Sequence, residues 1–218
     1  MNALERTFIS LDWMTLTLCF VLILITLAKY LFQNKFVNFI VLPFNNKYLI
    51  VYGKKSSWFD GFHLIMTFFQ IVNLALFIFL ALDTFTEILP EQRLTLFFTL
   101  TVCVFIFHLF KVSLQMGKGF VFNTQKLINE LIYTKQTYFN HSSMVLFGSN
   151  ILLIYVFEHS KTLIYVTILL FILINAIGLA KLLKNYQKDF LGHLFYFILY
   201  LCTLEIAPLV LIGGYLKG

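Results

Sequence analysis

The chain has 218 residues, of which 60% are hydrophobic and only 12% charged, with 27 Phe and 11 Tyr against 10 Gly and 3 Pro. Soluble domains carry about 45–50% apolar and about 25% charged residues. At a mean hydropathy of +0.88, this chain has too little polar surface to stay dissolved, and it reads as an integral membrane protein. Its net charge of +6 then bears on orientation in a bilayer rather than on a nucleic-acid partner.

A spanning helix needs about 17–25 largely apolar residues. Six segments meet or approach that length, at about 13–28, 58–82, 94–110, 142–157, 162–183 and 190–215. The fourth is shorter than most of the others. The first is preceded by a stretch with one Arg and two acids and is followed by no small-x-small site, so it reads as a retained helix rather than a cleaved signal. The expectation is an all-α, polytopic transmembrane bundle of about six helices, forming one domain over 1–218.

Charge in the connections tests that count. Five lysines follow the first segment (Lys29, Lys35, Lys47, Lys54, Lys55). Four follow the third (Lys111, Lys118, Lys126, Lys135), and three follow the fifth (Lys181, Lys184, Lys188). The other connections and the two ends hold one each, Arg6, Arg93, Lys161 and Lys217. Twelve against four accounts for all 16 basic residues. The positive-inside rule puts the three basic connections in the cytoplasm and both termini outside.

The long cytoplasmic connections carry helical patterns of their own. Phe32, Phe36, Phe39 and Ile40 form one stripe opposite Asn34, Lys35 and Asn38, ending before Pro43-Phe44-Asn45-Asn46. Leu127, Ile128, Leu131 and Ile132 form another, opposite Lys126, Asn129, Glu130 and Lys135, with Asn123 as an N-cap. Each could lie flat on the inner leaflet, pack under the bundle or bind a partner. Helices one to three show no repeat in four to six, which counts against an inverted-repeat transporter.

Ionisable groups inside a bilayer are functional candidates. Glu205 is the clearest, three residues before Pro208, whose ring kinks the helix and frees the carbonyl of residue 204. It suits a proton, cation or substrate site, or a structural acid bonded to a neighbouring helix. His63, His108 and His193 all fall near the cytoplasmic end. Three histidines at one depth could ligate a metal, or two of them a haem. However, they lack HxxxH or HxxH spacing and nearby Cys or carboxylate ligands other than Asp60, so no metal or cofactor is assigned. Gln70, Asn73, Asn150 and Asn175 read as interhelical glue, and Gly148 and Gly178 as sites of close helix approach. Asn140-His141-Ser142 matches a glycosylation sequon on the wrong side of the membrane. Cys19, Cys103 and Cys202 sit singly in apolar runs and form no disulfide framework. Phosphate-binding Gly-rich loops, GxSxG, HExxH and Arg-rich voltage-sensing helices are all missing from the sequence.

The stretch Phe195-Tyr196-Phe197-Ile198-Leu199-Tyr200-Leu201-Cys202-Thr203-Leu204-Glu205-Ile206-Ala207-Pro208-Leu209, with Asp12-Trp13 and Phe44-Asn45-Asn46-Lys47-Tyr48, resembles an uncharacterised family of multi-pass inner-membrane proteins from Bacteroidota, catalogued as a domain of unknown function. Ala207 replaces the larger apolar residue expected there. The resemblance implies a bacterial inner-membrane location and no established reaction. Association with that lineage brings gliding and type IX secretion machinery into view.

The sequence therefore points first to a non-enzymatic inner-membrane subunit or scaffold of a larger envelope complex, with the bilayer and other membrane proteins as partners. The alternative is a small proton-coupled transporter or intramembrane lipid-handling enzyme centred on Glu205, with the three histidines around a second site.

Overall fold

The computed structural model describes residues 12–42, 48, 52, 60–86, 89–121 and 125–190. The turn at 43–46, the N-cap Asn123 and nearly all of the sixth apolar segment, with His193, Cys202, Glu205 and Pro208, lie outside them. The chain divides into two compact units, Met1–Leu179 and Ala180–Gly218. The packing described below belongs to the first.

Among the described residues there are six α-helices: α1 (Asp12–Leu31), α2 (Gln33–Ile40), α3 (Gly61–Phe85), α4 (Arg93–Val121), α5 (Gln125–Tyr155) and α6 (Lys161–Phe190). Four stretches are long and apolar enough to cross a membrane, Asp12–Leu31, Gly61–Phe85, Arg93–Leu114 and Lys161–Lys181. They mark a multi-pass membrane protein.

α5 departs from the sequence expectation. The amphipathic stretch around 126–135 and the short span at 142–157 are parts of one continuous helix of 31 residues. The physical reason lies in the sequence: between Gln125 and Phe147 there is neither Pro nor Gly to end a helix. Charge at Lys126, Glu130 and Lys135 suggests a boundary, but charge does not break a helix. The consequence for architecture is an inversion, because the least apolar of the long helices is also one of the two central ones.

α3 is the hub, packed against α1, α4 and α5. Its buried side chains lie all round it, from Phe62 and Met66 to Phe79 and Leu80. α1 buries a single stripe, Met14, Leu18, Val21 and Ala28, at helical spacing, and turns Leu16, Phe20 and Ile23 outward. Trp13 at the start of α1 packs edge-on against Phe79 near the end of α3, their rings 5.2 Å apart. Phe32 beyond the end of α1 meets Phe62 at the start of α3. The two helices are therefore antiparallel. Phe68 stacks on Phe105 and Phe79 meets Phe97, which makes α4 antiparallel to α3 as well.

Of the three readings left open for the first amphipathic stretch, the structure selects packing under the bundle. Phe36 and Phe39 of α2 are buried, and Phe39 lies against Phe62, Tyr48 and His141. Lys35 reaches Asp60, 2.6 Å away. Asp60 occupies the N-cap of α3 but makes no side-chain cap hydrogen bond; its carboxylate serves instead to tie α2 to α3.

α5 turns into α6 through residues 156–160, where Val156 and Phe157 both donate to the Leu152 carbonyl and His159 takes the left-handed conformation at φ 55°. α6 then runs back along α5. Thr167 donates to Ser149 (2.8 Å), Asn175 to Ser142 (3.1 Å), and Phe139 packs edge-on against Phe171. Gly178 is required by this pairing, since an added Cβ would lie 2.4 Å from Cγ of Tyr138. Gly148 is not, because a Cβ there meets open space. Gly178→Ala is expected to cost about 1–3 kcal/mol by overpacking. In thermal unfolding in detergent, Gly178→Ala combined with Tyr138→Ala should lose less than the two single losses summed. Strict additivity would show that the α5–α6 contact does not depend on the missing Cβ.

Candidate functional site

The interior of the bundle carries a polar seam where α3 and α5 run side by side. On α3 the residues His63, Thr67, Gln70 and Asn73 recur at three- and four-residue spacing, and on α5 so do Tyr133, Gln136, Asn140 and Ser143, with Asn150 two turns on. Such spacing places each set on one helical face. His63 meets Tyr133 at one end of the seam and Asn73 meets Asn150 at the other, so α3 and α5 are parallel, as two helices separated by one antiparallel crossing must be.

The seam is buried and its side chains bond chiefly to one another. Gln136 donates to Gln70 (3.2 Å) and to Asn140 (3.0 Å), and Asn140 donates to the Thr67 hydroxyl (3.3 Å). Further along, the Asn150 amide donates to the Asn73 backbone carbonyl (3.1 Å) and side-chain oxygen (3.4 Å), while Asn73 donates back to Phe69 of its own helix. Gln70, Asn73, Asn140 and Asn150 are all at most 1% exposed.

At the lysine-bearing end the seam finishes in an aromatic ladder. His63 stacks on Tyr133 with ring centres 4.9 Å apart, and Tyr133 stacks on Tyr48, to whose oxygen it donates a 3.1 Å hydrogen bond. Burial, reinforced by the neighbouring Tyr133 and Asp60, pushes the Tyr48 phenol well above the usual tyrosine range, so it stays protonated and can both accept and donate. His63 is 5% exposed, and its Nε2 has no hydrogen-bond partner. His141 on α5 closes the same end, its Nε2 lying 3.2 Å from the Ile40 carbonyl of α2.

Of the residues singled out from sequence, His63 lies buried on α3 and His108 half-buried on α4. His193, Glu205 and Pro208 lie outside the described residues. Among the described residues no group of three His, Cys, Asp or Glu side chains is placed to hold a metal ion. Cys19 and Cys103 are free and exposed on the outer faces of α1 and α4. Gln70, Asn73, Asn150 and Asn175 each bond across helices. Hydropathy and motif do not single out Gln136, Thr67 or Tyr133; Asn140 stands out in the sequence only as part of a sequon, and Tyr48 only within the stretch that carries the family resemblance. Matching three-and-four spacings of polar residues on two helices are the signal that finds those on α3 and α5; Tyr48 lies on neither helix.

A family model described as a domain of unknown function, DUF4271, matches residues 14–216. No curated protein and no solved structure matches the chain.

In hydrocarbon, unpaired polar groups are costly, yet interhelical side-chain bonds average only about 0.6 kcal/mol and reach about 1.7. The Gln70→Leu/Gln136→Leu cycle should therefore give a coupling of about 0.6–1.7 kcal/mol in reversible unfolding from a bilayer mimic. A coupling of zero would remove this pair from the interactions that hold α3 to α5.

Proposed function

We propose that this chain, which belongs to the family of the domain of unknown function DUF4271, is a non-enzymatic subunit or scaffold of a larger membrane complex. The observation that supports this is the division of labour among its helices. The polar side chains of α3 and α5 are turned inward and largely consumed by bonds to each other. α4 is left with a wide apolar face: Leu94, Phe98, Val102, Phe105 and Leu109 are all exposed. Their spacing of four, four, three and four residues is that of a helix-packing seam. A partner helix of matching spacing suits this stripe.

In the proposed orientation both termini are outside and the end with Lys35, Lys111, Lys135, His63 and His108 faces the cytoplasm, following the lysine distribution. The resemblance of the C-terminal stretch supports a bacterial inner membrane and an envelope assembly of the gliding or type IX secretion kind. Pull-down of the tagged protein in mild detergent should yield a stoichiometric partner that survives size exclusion. Truncating two aromatic anchors, Phe98→Ala with Phe105→Ala, should weaken its retention at least about tenfold while the protein remains monodisperse. A wild-type protein that elutes alone would overturn the reading.

A second reading, a proton-coupled transporter or lipid-handling enzyme centred on Glu205, draws support from one feature, the unbonded Nε2 of buried His63 at the head of the seam. Glu205→Gln distinguishes the two. Uptake or turnover in proteoliposomes is abolished if Glu205 is the working acid; the subunit reading expects an effect on partner retention or none.

A further inference from the structure

We propose that the cleft between α3 and α6 holds one acyl chain of a phospholipid whose phosphate is bound by Lys161. This goes beyond the subunit reading and does not rest on it. The cleft measures about 340 Å³ and its lining is wholly apolar, within the range of about 300–1,000 Å³ typical of small-molecule sites. One wall is α3 from Leu74 to Phe85, the other is Ile168 and Phe171 of α6, and Leu146 of α5 forms the floor. Both walls belong to helices long and apolar enough to cross a membrane, so the cleft faces hydrocarbon.

Three features select a lipid chain as its occupant. The first is length. From Leu74 to Phe85 the wall covers about 16 Å at roughly 1.5 Å per residue, about half of the roughly 30 Å hydrocarbon core. That is the reach of one leaflet's acyl chain. The second is origin. The cleft exists because α6 is bonded to α5 through Ser149–Thr167 and Ser142–Asn175, which leaves the gap beside α3 to be filled by something else. The third is charge at the mouth. Phe85 is the last wall residue, and the Lys161 ammonium sits over its ring, 5.4 Å from the centre. Lys161 is exposed, opens α6, and among the described residues has no carboxylate within ion-pair distance. The positive end of the α6 dipole lies beside Lys161, with Ser160 already accepting from the Leu163 amide. Tyr165, whose ring packs against Phe85, completes an aromatic rim of the kind found at headgroup depth.

The experiment uses the full chain in bilayers of phosphatidylethanolamine and phosphatidylglycerol doped with phosphatidylglycerol bearing a diazirine along one acyl chain. After photolysis, labelled residues are mapped by mass spectrometry. Leu146 is 1% exposed and forms the cleft floor, so only an inserted chain reaches it. Labelling of Leu146 and Phe171 is expected. Labelling confined to the outward-facing Leu169, Ile172 and Leu173 would overturn the proposal, because it describes ordinary surrounding lipid. Ala81→Trp, which fills the cleft, should abolish labelling of Leu146 while leaving the outward sites labelled. Ile168→Trp on the exposed wall gives the same test if the first variant does not fold. At limiting labelled lipid, Lys161→Ala should lower labelling of Leu146 about fivefold, from roughly 1 kcal/mol per basic contact, and Lys161→Arg should preserve it. Equal labelling in wild type and Lys161→Ala would overturn the assignment of the phosphate.

Discussion

Every other feature of this bundle depends on the pairing of polar faces between α3 and α5. A helix that carries Gln136, Thr137, Asn140, Ser143 and Asn150 cannot stand against lipid, because hydrocarbon offers those groups nothing to bond. It needs a neighbour with donors and acceptors in matching register, and α3 supplies them at Thr67, Gln70 and Asn73. Once those two faces meet, α5 is committed to the interior and the remaining helices to covering it. The hydrophobic effect does not choose between the helices, since lipid tails are as apolar as the side chains of α1 or α4. Packing and polar matching decide which helix lies inside.

The coverage is uneven, and that unevenness gives the molecule its chemical character. α1 shields α3 along one narrow stripe and α6 shields α5 through two hydroxyl and amide contacts and the close approach at Gly178. α4 lies against α3 while exposing most of its apolar surface. At the lysine-bearing end α2 folds back beneath the bundle, so that Phe39, Phe62, Tyr48 and Tyr133 form a lid of rings over the seam. At the opposite end an ion pair at 2.9 Å, Arg93 with Asp83, joins α3 to α4 across their short connection.

Composition and periodicity make the helical membrane class legible, because 60% of the residues are hydrophobic and apolar runs such as 162–180 are long enough to span a bilayer as helices. The burial of Phe36 and Phe39 is legible as a stripe, though not what covers it. The unity of α5 is hidden for a physical reason. Hydropathy measures affinity for lipid, and a helix sheltered by other helices has no need of it. The same blindness hides Gln136 and Asn140, which look like loop polarity when taken alone. Only their register against Thr67 and Gln70 reveals their role, and register between distant segments is a property of the packed chain. Gly178 and Gly148 look alike in sequence, and only the presence of Tyr138 opposite one of them separates them.

The extent of the seam bears on what the molecule can do. From Asn73 toward the end of α3 the next nine residues, Leu74 to Leu82, are all apolar, a rise of about 14 Å at roughly 1.5 Å per residue. Leu76, Phe77, Phe79 and Leu80 from this stretch are buried in the core. The polar groups thus enter from the lysine-bearing end and stop near the middle of the bundle. Among the described residues they form a blind pocket of bonds rather than a path across. A structural seam needs no exit, whereas transport does. Conduction through this first unit would require the apolar stretch of α3 to separate from Leu146, Leu153 and Ile164, breaking the packing that the Asn73–Asn150 bond secures. A seam closed in this way supports the proposed subunit reading over transport through this unit.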